Sequence, residues 1–537
     1  MTEKKAQLIR LRKLMLFWTL VMTVVLGILF SAPSYANNLS VTNVTLGTRD
    51  PGAKTVVVTF NVSWQNSWRN KINFDAAWLT VRLNQAQITP TIKTLCPITA
   101  TGLNPAGTSP GNGPNLQVYV PGDATGAFLQ PSSTGFIGNI NTQNVQLTVN
   151  YQSCGFSDTD QIYASVFGLE MVYIPQGSFY AGDYNTSAAS LNSGSADGTP
   201  WNVTSENPIP VTNATSGGYQ YVSSANPGEF ATGASFTIPA SFPKGYNAFY
   251  AMKYGINEGE WVEFFNDLPV AARINRDLDD TNHKNSSNVQ FRNTLSCFGA
   301  PLLCSSQRPS RALNYLSWMD LAAFLDWDAL RPMTELEFEK MSRGPLLPNP
   351  GEYVWGNQNI SAATAISGTT EDGTETITAP ASANANYNNT TFTGGDTSQG
   401  AGYNQGPLRG GIFASPNSTR ASSGASYYGV MDLGGNLKDR VVTIGNSAGL
   451  LFTGSEGTGV LNTTTGYEGN ANITGWPGMD AQPLNGVDGA TGSGFRGGSW
   501  ADSTNYLRIS DRTEAALTST AALNTFGGRG VRTYDGS

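Results

Sequence analysis

The chain has 537 residues, of which 60 are glycine, 28 proline, four cysteine and one histidine. At roughly 150 residues per domain this length suggests two to four domains. Charged residues make up 13%, about half the usual share of roughly 25%, which excludes long bundles and coiled coils. The sequence pI of about 4.9 excludes a strongly basic nucleic-acid binder, and one histidine cannot build a histidine-rich metal site.

Residues 1–36 read as an export signal: Lys4, Lys5, Arg10, Arg12 and Lys13 precede an apolar run from Met15 to Phe30, and Ser34-Tyr35-Ala36 supplies small residues for cleavage. The alternative is a retained anchor, since the run approaches the spanning length of about 20. Cleavage would leave 26 basic and 38 acidic side chains, a net charge of −12, repelled by phosphate backbones and anionic lipid. No later stretch is apolar for long enough to span a bilayer. An exported chain meets an oxidising compartment, so its cysteines are disulfide candidates.

Residues 37–168 read as an all-β sandwich of immunoglobulin-like size, with strands at Leu39–Leu46, Thr55–Trp64, Ala76–Leu83, Val145–Tyr151 and Gln161–Phe167. Val56, Val58, Phe60, Val62 and Trp64 alternate with their neighbours at period two. Cys96 and Cys154 fall here and either pair or remain buried thiols.

The texture changes at Leu169, and residues 169–537 carry three short helices among many loops. Trp261, Phe264, Phe265 and Leu268 make one apolar face in Glu258–Leu268. A second helix starts from a Ser317 cap and runs through Leu321, Phe324 and Leu325. A third opens with the capping box Thr334-Glu335-Leu336-Glu337 and ends near Gly344. Cys297 and Cys304 enclose a short loop suited to a local disulfide. Residues 356–430 are poor in charge but contain Tyr387, Phe392, Tyr403 and Phe413. They read as a long ordered loop region that needs an unusual way to stay folded, bound metal being one.

Three motif matches point away from catalysis. Gly492–Gly497 fits GxGxxG but precedes a Gly-Gly-Ser-Trp stretch rather than a helix. Gly107–Gly111 and Gly445–Gly449 both fit GxSxG, two hits that suggest background, and no histidine follows Gly449 as the hydrolase order requires. His283, in the polar run Asp279–Lys284, reads as a solvated loop residue.

An ordered set of segments carries a family resemblance. Glu170-Met171-Val172-Tyr173-Ile174-Pro175-Gln176-Gly177-Ser178-Phe179 comes first, then Phe249-Tyr250-Ala251-Met252-Lys253-Tyr254 and Asn314–Trp318. Arg331-Pro332-Met333-Thr334-Glu335-Leu336-Glu337-Phe338-Glu339-Lys340, Tyr353–Asn357, Tyr428–Asn436 and Arg496-Gly497-Gly498-Ser499-Trp500 follow. In this order, over about 170–535, they resemble the sulfatase-modifying-factor family, whose founding member is formylglycine-generating enzyme. The resemblance implies an α+β, loop-rich, C-type-lectin-like domain, here preceded by the β-sandwich. The family's oxidases convert a substrate cysteine to formylglycine with copper, oxygen and two cysteines that follow Gly-Gly-Ser-aromatic. Those positions hold Asp502 and Leu507, the aromatic of a nearby segment is replaced by Lys438, and the usual Gly-Phe-Arg reads Gly527-Gly528-Arg529. Copper is therefore not expected, since copper(I) prefers thiolates. The family's iron enzymes need three histidines.

Calcium is the expected structural cofactor by the same resemblance, held by the Asp432 and Asp439 side chains and the backbone of Gly435 and Leu437, hard oxygen donors that suit it. A second site falls on Asn386 and Tyr387, with Tyr403 opposite; its carboxylate position falls on Ala401, for which Asp396 could substitute. The reading that follows is an exported protein, extracellular, at the cell surface or periplasmic, that binds or builds rather than catalyses. Its contacts would be Trp500, Asp502, Asn505, Tyr506 and Arg508, on loops of the kind that carry binding. Its partner would be an extracellular protein or glycan, or another copy in a surface assembly, and not nucleic acid. If the loop is diversified by a retroelement, Ser503, Thr504, Asn505 and Tyr506 are the varied positions. The alternative is a divergent oxidase acting on protein cysteine.

Overall fold

The structure, a computed structural model, describes residues 39–85, 93–99, 102–103, 109–110, 115–212, 218–396, 403–480 and 484–536. The chain divides into two units, Met1–Tyr35 and Ala36–Ser537. The expected export signal lies outside the described residues, as does Ala401. Among the described residues no helix is long and apolar enough to cross a membrane.

The second unit is mixed and sheet-rich with few helices. Thr55–Arg69 pairs antiparallel with Ser40–Asp50 on one side and Phe136–Asn150 on the other. Its Val56, Val58, Phe60, Val62 and Trp64 are all buried on one face, the arrangement that the alternation predicts. A second sheet of nine strands begins with Arg331–Pro332, Gly530–Thr533, Phe249–Met252, Ile162–Ile174 and Asp75–Gln85, in that spatial order. Asp75–Gln85 is buried on both faces: Ala77, Leu79, Val81 and Leu83 join the first sheet's apolar cluster. Ala76 and Trp78 join a second cluster with Phe128, Met171, Tyr250, Phe264 and Phe324. Two strands of this sheet, Leu116–Tyr119 and Ala127–Pro131, carry too little periodicity to be read from sequence.

Ile162–Ile174 runs without a break through position 168, where the sequence texture changes. It pairs with Asp75–Gln85 along its length and with Phe249–Met252 at its end. Glycine at 168 leaves room for the side chains of Leu79 and Leu39, whose methyls a Cβ there would approach within 2.7 and 2.8 Å. Both disulfides form, Cys96–Cys154 and Cys297–Cys304. The second joins paired residues of the hairpin Ser296–Phe298 and Leu303–Ser305.

The three helices are Glu258–Asp267, Trp318–Trp327 and Glu335–Arg343, each opened by a reciprocal capping box at Asn257, Ser317 and Thr334. The third ends at Gly344 with φ +68° and ψ −149°, a backbone conformation that essentially only glycine adopts.

His283 corrects the reading of a solvated loop residue. Its ring is 2.7 Å from Asp280 Oδ1 and 2.9 Å from Asp320 Oδ2, and Asp320 is the residue that closes the Ser317 capping box. Arg276 holds the other Asp320 oxygen at 2.8 Å. Burial alone would lower the imidazole, but Asp320 and Asp280 outweigh it and push it up to about 10. A group raised above its ordinary 6.5 contributes fully below that pH, and its contribution fades as pH rises through about 10. His283→Gln is expected to cost about 1.5–3 kcal/mol at neutral pH. Urea melts of both chains at rising pH should show the difference shrinking towards pH 10; a constant difference would refute the charged bridge.

The 356–430 region, outside 397–402, is held by buried guanidinium–carboxylate pairs. Arg311 lies 2.7 Å from Glu371, which Arg292 also contacts, and Arg308 lies 2.6 Å from Asp396. Arg409 faces Glu375 at 3.5 Å. Phe392, Leu408 and Ile412 close a small apolar cluster beneath them.

Candidate functional site

The strand Ser493–Arg496 leads into a Gly497-Gly498 turn with φ of +85° and +64°. A side chain at 497 would put its Cβ 2.3 Å from the Leu433 carbonyl, so only glycine lets the chain turn there. Beyond it lie Ser499–Ser503 and the short 3-10 turn Thr504–Leu507.

This segment separates the expected contact residues by exposure. Trp500 is only 3% exposed; its indole N–H donates to the Asn524 carbonyl at 3.0 Å, and its ring stacks on Phe291 at 5.5 Å. Asn505 is exposed, and Asp502 and Tyr506 are half-buried. Arg508, also half-buried, donates to the Thr186 carbonyl at 3.3 Å. Leu507 is buried beside Val354, Trp355 and Leu433.

Asp502 is tightly held. Its Oδ2 accepts from the Ser499 backbone N–H at 2.8 Å and the Ser499 hydroxyl at 2.6 Å, and it stands 3.4 Å from the Lys438 ammonium. Lys438 donates to both oxygens of Glu514 at 2.8 and 2.6 Å and lies 5.6 Å from the Tyr506 ring centroid. Burial raises Glu514 despite Lys438. Lys438 and Glu514 were absent from the residues expected here; the signal for Lys438 was its departure from the family's aromatic. The result is two carboxylates around one ammonium, with a tyrosine ring beside it and an exposed asparagine next to the ring. The positions matching the oxidases' cysteines thus offer an engaged carboxylate and a hydrocarbon, neither a soft donor. All four cysteines stand in the two disulfides.

The expected calcium residues pack directly behind this loop. The Asn388 N–H donates to the Asp502 carbonyl and the Asn389 N–H to the Trp500 carbonyl, each at 2.8 Å. The Asn386 amide donates to Gly406 O and Asn436 Oδ1, both at 3.0 Å. Its Oδ1 is buried and has no hydrogen-bond donor among the described residues. Thr390 donates to the Tyr387 carbonyl at 2.7 Å. The Tyr403 carbonyl accepts from Arg292 at 3.0 Å, and Asp396 pairs with Arg308.

Asp432 sits at φ +57° and accepts from the Gly411 N–H at 2.7 Å. Asp439 opens the strand Asp439–Val442 and pairs with Arg529 at 2.9 Å. The same guanidinium donates to the carbonyls of Met431 at 2.9 Å and Asp432 at 3.2 Å. Burial raises both Asp432 and Asp439, with Arg529 opposing it. Gly435 approaches so closely that a Cβ would lie 2.5 Å from the Asn386 carbonyl, and Leu437 is buried. Asn436 joins the two clusters, since its N–H donates to Asn386 O at 2.8 Å.

A separate cleft of about 350 Å³ is lined by Leu268, Ala272, Trp327, Val460 and Leu461 and includes no residue of the Trp500–Arg508 loop.

No curated protein was found that matches the chain. Residues 206–534 match the family described as sulfatase-modifying factor enzyme 1-like domain, which leaves the Glu170–Phe179 segment just outside the matched range. The loop, the ion cluster and both expected calcium clusters lie within those residues, and the chain belongs to the sulfatase-modifying factor family.

Proposed function

We propose that the protein is an exported, non-catalytic binding or surface-structural protein. In this reading 1–36 is its signal, 37–168 an immunoglobulin-like sandwich, and 169–537 a calcium-stabilised domain of C-type-lectin-like architecture. The supporting observation is the Lys438–Asp502–Glu514 cluster, which stands where the family's oxidases carry an aromatic and a thiolate. An ammonium and a carboxylate that neutralise each other at 3.4 Å make a polar recognition surface and supply no copper ligand pair. Asp502, Asn505 and Tyr506 present the accessible part of it, to an extracellular protein, a glycan or another copy. The test adds copper(I) and a cysteine peptide to the purified protein. Copper is expected to stay unbound and the peptide unchanged; copper-dependent conversion of the cysteine to an aldehyde would overturn the reading in favour of a divergent oxidase.

Calcium in this reading is held by Asn386 Oδ1 with the Tyr387 carbonyl, and by Asp432 and Asp439 with the Gly435 and Leu437 carbonyls. It supplies charge neutralisation and a fixed loop geometry. The unpartnered Asn386 oxygen supports the first position, and Arg529 already serves part of that purpose at the second. At a hundredfold excess over its dissociation constant calcium should stabilise the protein by about 2.7 kcal/mol. Asn386→Ala should reduce that increment, and a melting temperature indifferent to chelator would sink the calcium assignment.

A further inference from the structure

We propose that Lys253 and Asp75 form an intramolecular amide bond, with Glu170 as the proton relay. The three residues sit on neighbouring strands of the nine-stranded sheet: Asp75 pairs with Val172, two residues beyond Glu170, and the Lys253 N–H donates to the Glu170 carbonyl at 2.8 Å. The Lys253 ammonium is 3.3 Å from Asp75 Oδ2 and 3.0 Å from Glu170 Oε2, and the side chains are 4%, 0% and 2% exposed. The amine therefore touches the carboxyl group whose carbon it would attack, with both side chains fixed on paired strands.

The surroundings suit the condensation rather than a plain ion pair. Asp75 Oδ1 accepts from the Ser67 hydroxyl at 2.6 Å and the Trp68 N–H at 3.1 Å, two fixed donors where a tetrahedral intermediate would place its negative oxygen. The Trp64 indole N–H holds Oδ2 at 3.2 Å. The Trp68 ring covers the amine, at 5.1 Å from its centroid. Burial pushes Asp75 up to about 6, and Lys253 offsets only part of that rise. Burial alone would lower Lys253, but Glu170 foremost holds it protonated, so in the form with Asp75 protonated the first ammonium proton must pass to the Glu170 carboxylate before attack.

The step balances without any co-reactant. Glu170 takes one proton from the ammonium, and the neutral Nζ attacks Cγ of protonated Asp75. The Nζ–Cγ bond forms and the Cγ–Oδ2 bond breaks. Glu170 relays a second proton from nitrogen to the departing hydroxyl, which leaves as water. The products are one amide, one water and a protonated Glu170, with no change in total charge. Two ions buried away from water are replaced by a neutral group, which removes their desolvation penalty. The amide would link positions 178 residues apart, fastening the strand that starts at Asp75 to the family region.

Mass spectrometry of the purified full chain, reduced and with its N-terminus determined, tests this. The expected mass is one water below that of the sequence. Trypsin should then yield Ile72–Arg82 and Gly245–Arg273 as one joined species uncut at Lys253, in nearly every molecule. A full sequence mass with Lys253 open to trypsin would overturn the proposal. Glu170→Gln should leave most of the folded chain unjoined; a fully joined Glu170→Gln chain would overturn the relay.

Discussion

Replacing Glu335 by alanine is expected to cost about 3–5 kcal/mol of stability, the loss typical of a broken buried ion pair. Glu335 Oε2 accepts from Arg512 at 2.7 Å and Arg496 at 3.2 Å. Its Oε1 accepts from the Ile444 N–H at 2.8 Å and the Thr443 hydroxyl at 3.0 Å. All three charged side chains are 0% exposed. Arg496 is also shared with Glu339 at 2.8 Å, and Arg343 links Glu339 to Glu352. Three carboxylates thus face three guanidinium groups, and removing one leaves an uncompensated buried cation. Burial alone would raise Glu335, but Arg512 and Arg496 hold it below its ordinary value. A carboxylate depressed in this way contributes fully above its unfolded value near 4.5 and loses that contribution as pH falls through its lower folded value. The gap between wild type and Glu335→Ala should therefore persist from neutral pH into the acid range. Denaturant midpoints at pH 7 and pH 4 check this; a loss of about 1 kcal/mol or less would mean that the cluster is solvated.

The same cluster explains what the sequence could and could not disclose. Helix starts were legible because each signal lies within four residues: Ser317 caps a helix through Asp320, and Thr334 through Glu337. The strand from Val56 to Trp64 was legible because one face of it meets a core and the period is local. The family segments gave the order of the domain, yet not why those residues recur. Arg331 pairs with Glu337 inside one segment, whereas Arg512 reaches Glu335 across 177 positions, a pairing that no local pattern encodes. His283 was misread for the same reason, since one of its two partners, Asp320, lies 37 positions away. Trp500, expected among the contact residues of the loop after Gly-Gly-Ser, sits beneath it, where Asn524, distant in sequence, receives its indole N–H. The low charge count excluded long bundles and coiled coils but said nothing of where the charges lie. Many of the charges lie inside, where arginines with several donors can tie irregular loops that lack backbone pairing.

Arg529 concentrates that principle at the expected calcium residues. It is 1% exposed and bonds Asp439 and the carbonyls of Met431 and Asp432. Arg529→Met keeps most of the volume but leaves Asp439 buried without its cation, next to Asp432, and should cost about 3–5 kcal/mol. Adding Asp439→Asn removes the orphaned charge, so the double variant should lose less than the two single losses combined, with a coupling of about 0.5–3 kcal/mol. Calcium gives a second readout. In wild type the guanidinium already neutralises part of the charge at Asp439, so calcium there stabilises less than it would without Arg529. In Arg529→Met both carboxylates are free to take it, and calcium should raise the unfolding midpoint by more than it does in wild type. Asp432→Asn in the same background should abolish the extra rise. Equal calcium shifts in wild type and Arg529→Met would mean that Asp432 and Asp439 serve the arginine alone, and that the protein's calcium, if bound, is held at Asn386.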